Sequence, residues 1–390
     1  MPGRVVHRNL CRNPRRFHSL TLHPSLPFPS QAGIWPGLIG LVTIGFCSLV
    51  GVDLLVSTFR TLSATKNMQT FGDVGFHCYG RPGALLVDSL LILTQMGFCS
   101  GYFIFISESL EALIGLNADV WVLVAYPSIV VLSWLRSLKR LAPISFVGMI
   151  AVGTALVTVV IFAFLNMKEH RVKHDNMLLG TMPVAFGIVV AAFEGVGLVI
   201  PTMTSMRDSA RYPELLRQAM YVIISAYCAV ATVGYMSFGR ETESIVTLNL
   251  PQHSWFVSLV ELSMCFAILF TYPIQLHPVI EIAERSDFFA RFEREGSFVP
   301  QKVLRSLLVS ITAIVAVIVP NFALLIGLIG SAGSAAISFV LPGLFHLKVH
   351  KGNLTIRERL VDYAIILFGL VGGLVGTVQT ISSMTKVDDE

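Results

Sequence analysis

Phe193-Glu194-Gly195-Val196-Gly197 is the stretch that decides how this chain is read. Glu194 is the only charged residue between Asn176 and Met206. A carboxylate at bilayer depth costs roughly 2.5–3.5 kcal/mol on insertion scales, so it faces a partner or a polar cavity rather than lipid. The two glycines that follow weaken the helix and let the backbone come close to a ligand. A helix broken beside a buried acid, midway through a span, is a recurrent way of building a substrate site inside a membrane.

The rest of the chain gives that stretch its setting. Apolar residues make up 54% of the sequence and charged residues 13%, against about 25% charged in soluble domains. The fold class is therefore all-α and polytopic, and the useful ruler is the span of about 20 residues. The net charge of +4 matters less than where the charges fall. The six cysteines show no metal-ligand spacing, and Cys47, Cys99, Cys228 and Cys265 sit in apolar segments. Cysteine there is most often a small buried hydrophobe, so neither a disulfide framework nor a metal site is read. No glycine loop of the nucleotide-binding kind is present, which excludes an ATP-driven pump, and no cofactor is expected.

Ten apolar segments follow, near 33–56, 85–108, 120–135, 141–166, 181–202, 218–238, 255–277, 304–319, 322–345 and 361–384. The third is short. Residues 306–345 carry no charge and are too long for one span; Pro320-Asn321 splits them with a tight turn. Lys and Arg orient the bundle. Eighteen of the 28, counting Arg305 at the edge of the eighth segment with the loop before it, belong to the loops after the first, third, fifth, seventh and ninth segments, which places those loops in the cytoplasm.

That orientation puts the N-terminus outside, where Arg4, Arg8, Arg12, Arg15 and Arg16 break the rule. One further helix ahead of residue 33 would restore an inside terminus. Residues 1–30 cannot supply it: they hold five prolines, three histidines and five arginines, and no Asp or Glu. The favoured explanation is a truncated or misjoined first segment, with a transit peptide as the alternative. Residues 1–31 are expected to be an atypical basic, disordered segment, 32–385 a single transmembrane domain, and 386–390 a short tail.

Four further stretches carry a resemblance. They are Thr94-Gln95-Met96-Gly97-Phe98-Cys99 with Tyr102-Phe103; Ala185-Phe186-Gly187 through the Glu194 motif to Pro201; Gly234-Tyr235, Phe238-Gly239 and Thr247-Leu248-Asn249-Leu250-Pro251; and Phe270-Thr271-Tyr272-Pro273 with Gln275. In this order and spacing the chain resembles the amino acid/auxin permease family, in its proton-coupled amino acid transporter branch. The resemblance implies an inverted-repeat (LeuT-like) amino acid transporter fold of eleven helices, of which this chain lacks the first transmembrane helix. It also implies that the 181–202 segment is the broken helix opening the second repeat. The histidine that animal members carry in the first helix has no counterpart here. Their disulfide between outer loops has none either, since His253 stands where one partner would fall.

A zwitterionic amino acid needs two unlike partners: N–H donors at a half-helix N-terminus for its carboxylate, and unwound carbonyls for its ammonium. Phe193, Glu194, Gly195, Val196 and Gly197 are the candidate substrate-binding backbone, unless the glycines only allow close helix packing. Glu194 either carries the coupled proton or ties the two half-helices together. Phe98, Tyr102, Tyr272 and Gln275 are candidate lining residues, with Tyr272-Pro273 marking a local break; packing or interfacial roles are the alternatives. Asp53 is expected near the cytoplasmic interface, Glu261 about 9 Å into its span, and Asp88, Glu108 and Asp362 at solvated helix ends. Gly327, Gly330 and Gly333 with Ser331 and Ser334 read as a packing face. Asn353-Leu354-Thr355 is a glycosylation sequon in a cytoplasmic loop and so unused.

The expected function is secondary transport of small neutral amino acids, with protons as the driving force. The alternative is a non-transporting amino-acid sensor. An embedded enzyme finds no support, for want of an intramembrane His–acid cluster or a Ser–His pair. The partners implied are a small amino acid and the lipid bilayer, with no nucleic acid. Localisation is the plasma membrane or a lysosomal or vacuolar membrane.

Overall fold

The structure is a computed structural model that describes residues 34–64, 68–135, 138–169, 182–239, 254–285, 299–319 and 321–388. Every described element is helical. In chain order they are α1 (Ile34–Ser63), α2 (Phe71–Ile114), α3 (Ala118–Ser133), α4 (Leu138–Glu169), α5 (Met182–Ala192), α6 (Val196–Ser205), α7 (Tyr212–Phe238), α8 (Trp255–Glu284), α9 (Val299–Ile318), α10 (Phe322–Ile329), α11 (Leu341–Val349) and α12 (Ile356–Asp388). Two π-helical turns, Gly330–Ser334 and Ala336–Val340, join α10 to α11 in one continuous rod. The basic N-terminal segment, the Thr247–Pro251 motif and His253 lie outside the described residues.

Nine helical stretches among the described residues are long and apolar enough to cross a membrane, and Ala118–Ser133 is a shorter apolar tenth. This matches the ten segments expected, with refinements. The second helix begins at Phe71 rather than near 85, because a capping box starts it: Thr70 and Asp73 exchange hydrogen bonds between side chain and backbone. Its first two turns are set off from the spanning part by a kink at Tyr79–Gly80, where Gly80 has φ 67°. The split before Asn321 is present, and the Asn321 side chain caps α10 by accepting the Leu324 N–H at 3.0 Å. The break expected at Tyr272-Pro273 is not: α8 runs unbroken through Pro273 and Pro278.

Side-chain contacts gather the loops assigned to the cytoplasm at one end of the bundle. Arg60 at the end of α1 reaches the Ala210 carbonyl just before α7. Thr61 meets His350 at the end of α11. Arg285 at the end of α8 donates to Thr70 at the start of α2. Arg305 in α9 donates to the Ser133 and Leu135 carbonyls at the end of α3 and pairs with Glu284. These residues lie far apart in sequence, so the common end is a tertiary fact rather than a property of any one loop.

Three apolar clusters fill the interior. One joins α1, α2, α6 and α11 around Leu55, Val87, Ile200 and Phe345. The second joins α2, α3, α8, α9 and α10 around Phe103, Ile129, Leu276 and Val309. The third joins α1, α5, α7 and α12 around Ile44, Ala185 and Phe339. Between them α5 and the α10 rod touch backbone to backbone: a Cβ on Gly187 would overlap the Gly327 carbonyl, and one on Gly330 the Gly187 carbonyl. The small-residue face therefore packs, as expected, with Gly333 against Thr94 and Ser331 against Gly373 and Gly376. The outer faces carry exposed Leu, Ile, Val and Phe side chains, as a lipid-facing surface requires.

Two acids sit deeper than their sequence positions suggested. Asp362 was expected to be solvated and is fully buried, because α11 returns across the start of α12 and covers it. Glu261 does not reach outward; it is 1% exposed on α8. Asp53 lies near the end of the bundle where the basic loops gather and pairs with Arg217 at 2.9 Å.

Candidate functional site: the broken helix

The helix that begins at Met182 stops at Ala192 and resumes at Val196. Phe193 N–H still reaches back to Val189, and Glu194 N–H to Ala191, a tightened turn. Gly195 then leaves the helical region at φ −172°, and Leu198 N–H closes a new first turn on the Gly195 carbonyl. The cause is local. A glycine follows the one residue whose side chain cannot be left in lipid, and glycine gives the helix least reason to continue. Ala192 and Gly195 are exposed, so the interrupted backbone faces an open side.

The break lies where the three clusters meet. Ala191 belongs to the second, Phe193 to the third and Val196 to the first. Polar groups from three further helices converge on this seam. Gln95 of α2 points its amide at Glu194, Nε2 to Oε2 3.5 Å. Gln275 of α8 donates to Gln95 Oε1 at 2.6 Å. The result is a chain of one carboxyl and two amides across α2, α8 and the break. Tyr227 of α7 donates its hydroxyl to the Ala192 carbonyl at 3.2 Å and packs its ring on Phe193, centroids 5.3 Å apart. The Val196 and Gly197 N–H groups, at the start of α6, face the Glu194 carboxyl. Its Oε1 is shielded from solvent and has no hydrogen-bond partner.

The site residues expected from sequence divide into two groups. Glu194, Gly195, Gly197 and Gln275 come together, with Gly197 packed against Leu91 and Gln95. Tyr102 of α2 is half-buried and in electrostatic range of Glu194. Phe193 turns away toward α1 and α7, and Val196 toward the first cluster. Tyr272 is not part of the polar seam: its hydroxyl meets Thr312 of α9 at 2.6 Å and its ring packs edge-on to Phe103. Phe98 is buried in that same apolar cluster. Gln95 and Tyr227 were not singled out. Gln95 stood within a quoted motif, but an uncharged amide on an apolar helix gives only a weak signal. Tyr227 had no neighbouring motif at all.

This arrangement offers a half-helix N-terminus, carbonyls outside the regular ladder, and an acid that can change its protonation between them. Among the described residues no group of three His, Cys, Asp or Glu is placed to hold a metal ion. A groove of about 440 Å³ lined by Asp53, Arg60, Thr61 and Arg217 lies between α1 and α7 at the end where the basic loops gather, away from the break.

The model of the family described as transmembrane amino acid transporter protein matches residues 25–382. The chain is 35% identical to amino acid transporter AVT3B of Arabidopsis thaliana, covering 94% of this chain and 90% of that protein. It is 31% identical to amino acid transporter ANT1 of the same plant, over 91% and 88%. Vacuolar amino acid transporter 4 of Saccharomyces cerevisiae is 27% identical over 80% of this chain and half of its own length. Among solved structures, a Na+-coupled sialic acid symporter in a substrate-bound, outward-open state superposes with TM-score 0.54 at 11% identity, over 93% of this chain and 88% of that one. At that identity the likeness is one of fold: the inverted-repeat arrangement of membrane helices.

Proposed function

The chain belongs to the transmembrane amino acid transporter family, and from that premise we propose that it carries small neutral amino acids across a plasma or vacuolar membrane in symport with protons. It is a multi-pass membrane protein and not an enzyme. The observation that carries the reading is the interruption at residues 193–195 with the Glu194–Gln95–Gln275 chain beside it.

The coupling follows from competition for the same donors. The Val196 and Gly197 N–H groups suit a substrate carboxylate, yet the Glu194 carboxyl already faces them. Two carboxylates cannot share that end of α6 while both are charged, because like charges at close range oppose ionisation. Protonating Glu194 removes the conflict, so one proton accompanies one amino acid. The substrate ammonium takes the carbonyls of Ala192 and Phe193, released from the helical ladder. Tyr227 and Gln275 bound the site laterally. The vacuolar relative supports an acidic compartment as one source of protons.

The test is uptake of radiolabelled glycine, alanine and proline by proteoliposomes containing the purified chain, with and without an imposed pH gradient. Glu194→Gln is expected to abolish the pH dependence of uptake. A mutant that keeps the wild-type proton dependence removes Glu194 from the coupling role. Wild-type protein that transports none of the three defeats the proposed substrate class.

A further inference from the structure

We propose that His346 and Asp362 form a second proton-binding site, remote from the broken helix, at the end of the bundle that the basic loops assign to the cytoplasm, with His350 beside it. His346 Nδ1 lies 2.9 Å from Asp362 Oδ2, joining α11 to α12. Asp362 is fully buried and His346 is nearly so. The other carboxyl oxygen, Oδ1, is shielded from solvent and has no hydrogen-bond partner. An ionised carboxylate accepts on both oxygens when it can. A buried one left half-satisfied is an expensive arrangement, whereas a carboxyl group sharing one proton with an imidazole carries no net charge. The pair is thus built to hold a proton, on oxygen or on nitrogen, in a place where losing it would leave a bare negative charge among apolar side chains.

Polar groups of rising exposure lie beyond the pair. The His350 ring lies tilted against the His346 ring with centroids 4.4 Å apart, and His350 Nδ1 lies 3.3 Å from the His346 carbonyl. His350 Nε2 meets the Thr61 hydroxyl of α1 at 3.1 Å. Exposure rises along the series, from buried Asp362 and His346 to half-buried His350 and exposed Thr61. All of it lies at the end of the bundle that the basic loops assign to the cytoplasm. The titratable groups facing Asp362 are His346 and His350 from α11 and Glu358 from its own helix. Glu358 is occupied as a cap by the Thr355 N–H and hydroxyl, both at 2.8 Å. From α1 the contact is the uncharged Thr61. Lys348 is turned toward the Tyr79 ring of α2. Nothing on these elements supplies Asp362 with a permanent counter-charge, so its partner is the proton shared with His346.

The site spans three helices, and one of them, α12, also packs on α5, the fixed half of the broken helix. Its occupancy therefore sets the charge at a junction that the transport machinery leans on. The binding claim stands without the transport reading; only its consequence for uptake rests on that reading.

The experiment is infrared difference spectroscopy of the full chain in lipid nanodiscs between acidic and alkaline buffer, for wild type, Asp362→Asn, His346→Gln, His350→Gln and Glu194→Gln. A carboxyl band that titrates in wild type is expected to vanish in Asp362→Asn and to persist in Glu194→Gln. Its midpoint is expected to move by at least one pH unit, a tenfold change in proton affinity, in His346→Gln. His350→Gln, at the rim and tolerant of substitution, is expected to shift the midpoint as well and serves if the buried variants do not fold. A band unchanged in Asp362→Asn, or a wild-type midpoint in both histidine variants that fold, overturns the proposal. Loss of the band in Glu194→Gln alone also overturns it, by assigning the only titrating carboxyl to the broken helix.

Discussion

Tyr227 and Gly195 make opposite uses of the same interrupted turn. The Tyr227 hydroxyl satisfies the Ala192 carbonyl that the break releases. Hydrogen bonds within membrane proteins average about 0.6 kcal/mol, so Tyr227→Phe should lower stability only by that order. It should also lower the KM for uptake severalfold, since a substrate ammonium no longer displaces a hydroxyl to reach the carbonyl. Uptake kinetics beside a thermal melt check this: a lost degree or two with unchanged KM would leave Tyr227 as a cap alone. A Cβ on Gly195 meets nothing within 4 Å. Gly195→Ala should therefore fold normally, while uptake falls if ligand backbone approach is what the glycine serves. Size-exclusion profile and initial uptake rate, measured together, decide. At this scale Glu194 was legible because a single charge in a long apolar run has no neutral explanation. Gln95 and Gln275 were not legible as a pair: they are 180 residues apart and uncharged, and only folding brings them to 2.6 Å. Asp362 was misplaced for a related reason. Its position early in a helix suggests water, and nothing local announces that α11 folds back to cover it.

Among the elements, the break and the split before Asn321 could be anticipated because glycine and proline act on their own backbone. Pro273 shows where that logic stops. A proline removes one hydrogen bond, but neighbouring helices can accommodate the freed carbonyl, and α8 continues through two of them. The π turns between Gly330 and Val340 had no sequence signature beyond a run of small residues, since a widened turn is chosen by what packs against it. The meeting of α5 with that rod yields a sharp prediction. Gly187→Ala sets a methyl against the Gly327 carbonyl, and backbone there cannot swing aside as a side chain would. The cost should lie at or above the upper end of ordinary overpacking, about 3 kcal/mol. The measurement is the yield of monodisperse protein and its melting temperature in detergent; wild-type values for both would show that the two backbones can separate.

For the whole molecule, the placement of basic residues predicts the sidedness, and tertiary contacts place the same loops at a common end. Such agreement is expected of a bundle whose connections are short and whose loop charges were sorted at insertion. It carries a prediction for Asn353, an exposed sequon residue in the turn after α11. The chain expressed in eukaryotic cells should show no mobility shift on glycosidase treatment; a shift would invert the assigned topology. The clusters themselves could not be read in advance, because apolar faces all round a buried helix do not say which neighbour each face meets. Their arrangement nevertheless has a mechanical corollary. The half-helix before the break is pinned main chain to main chain, while the half after it packs into the first cluster through Val196, Val199, Ile200 and Met203. The latter is a rod of ten residues, about 15 Å long, so a swing of some 10° about Gly195 carries its far tip roughly 2.6 Å. A fulcrum at mid-membrane with one clamped arm would convert a small rearrangement around a proton into motion at the aqueous rim.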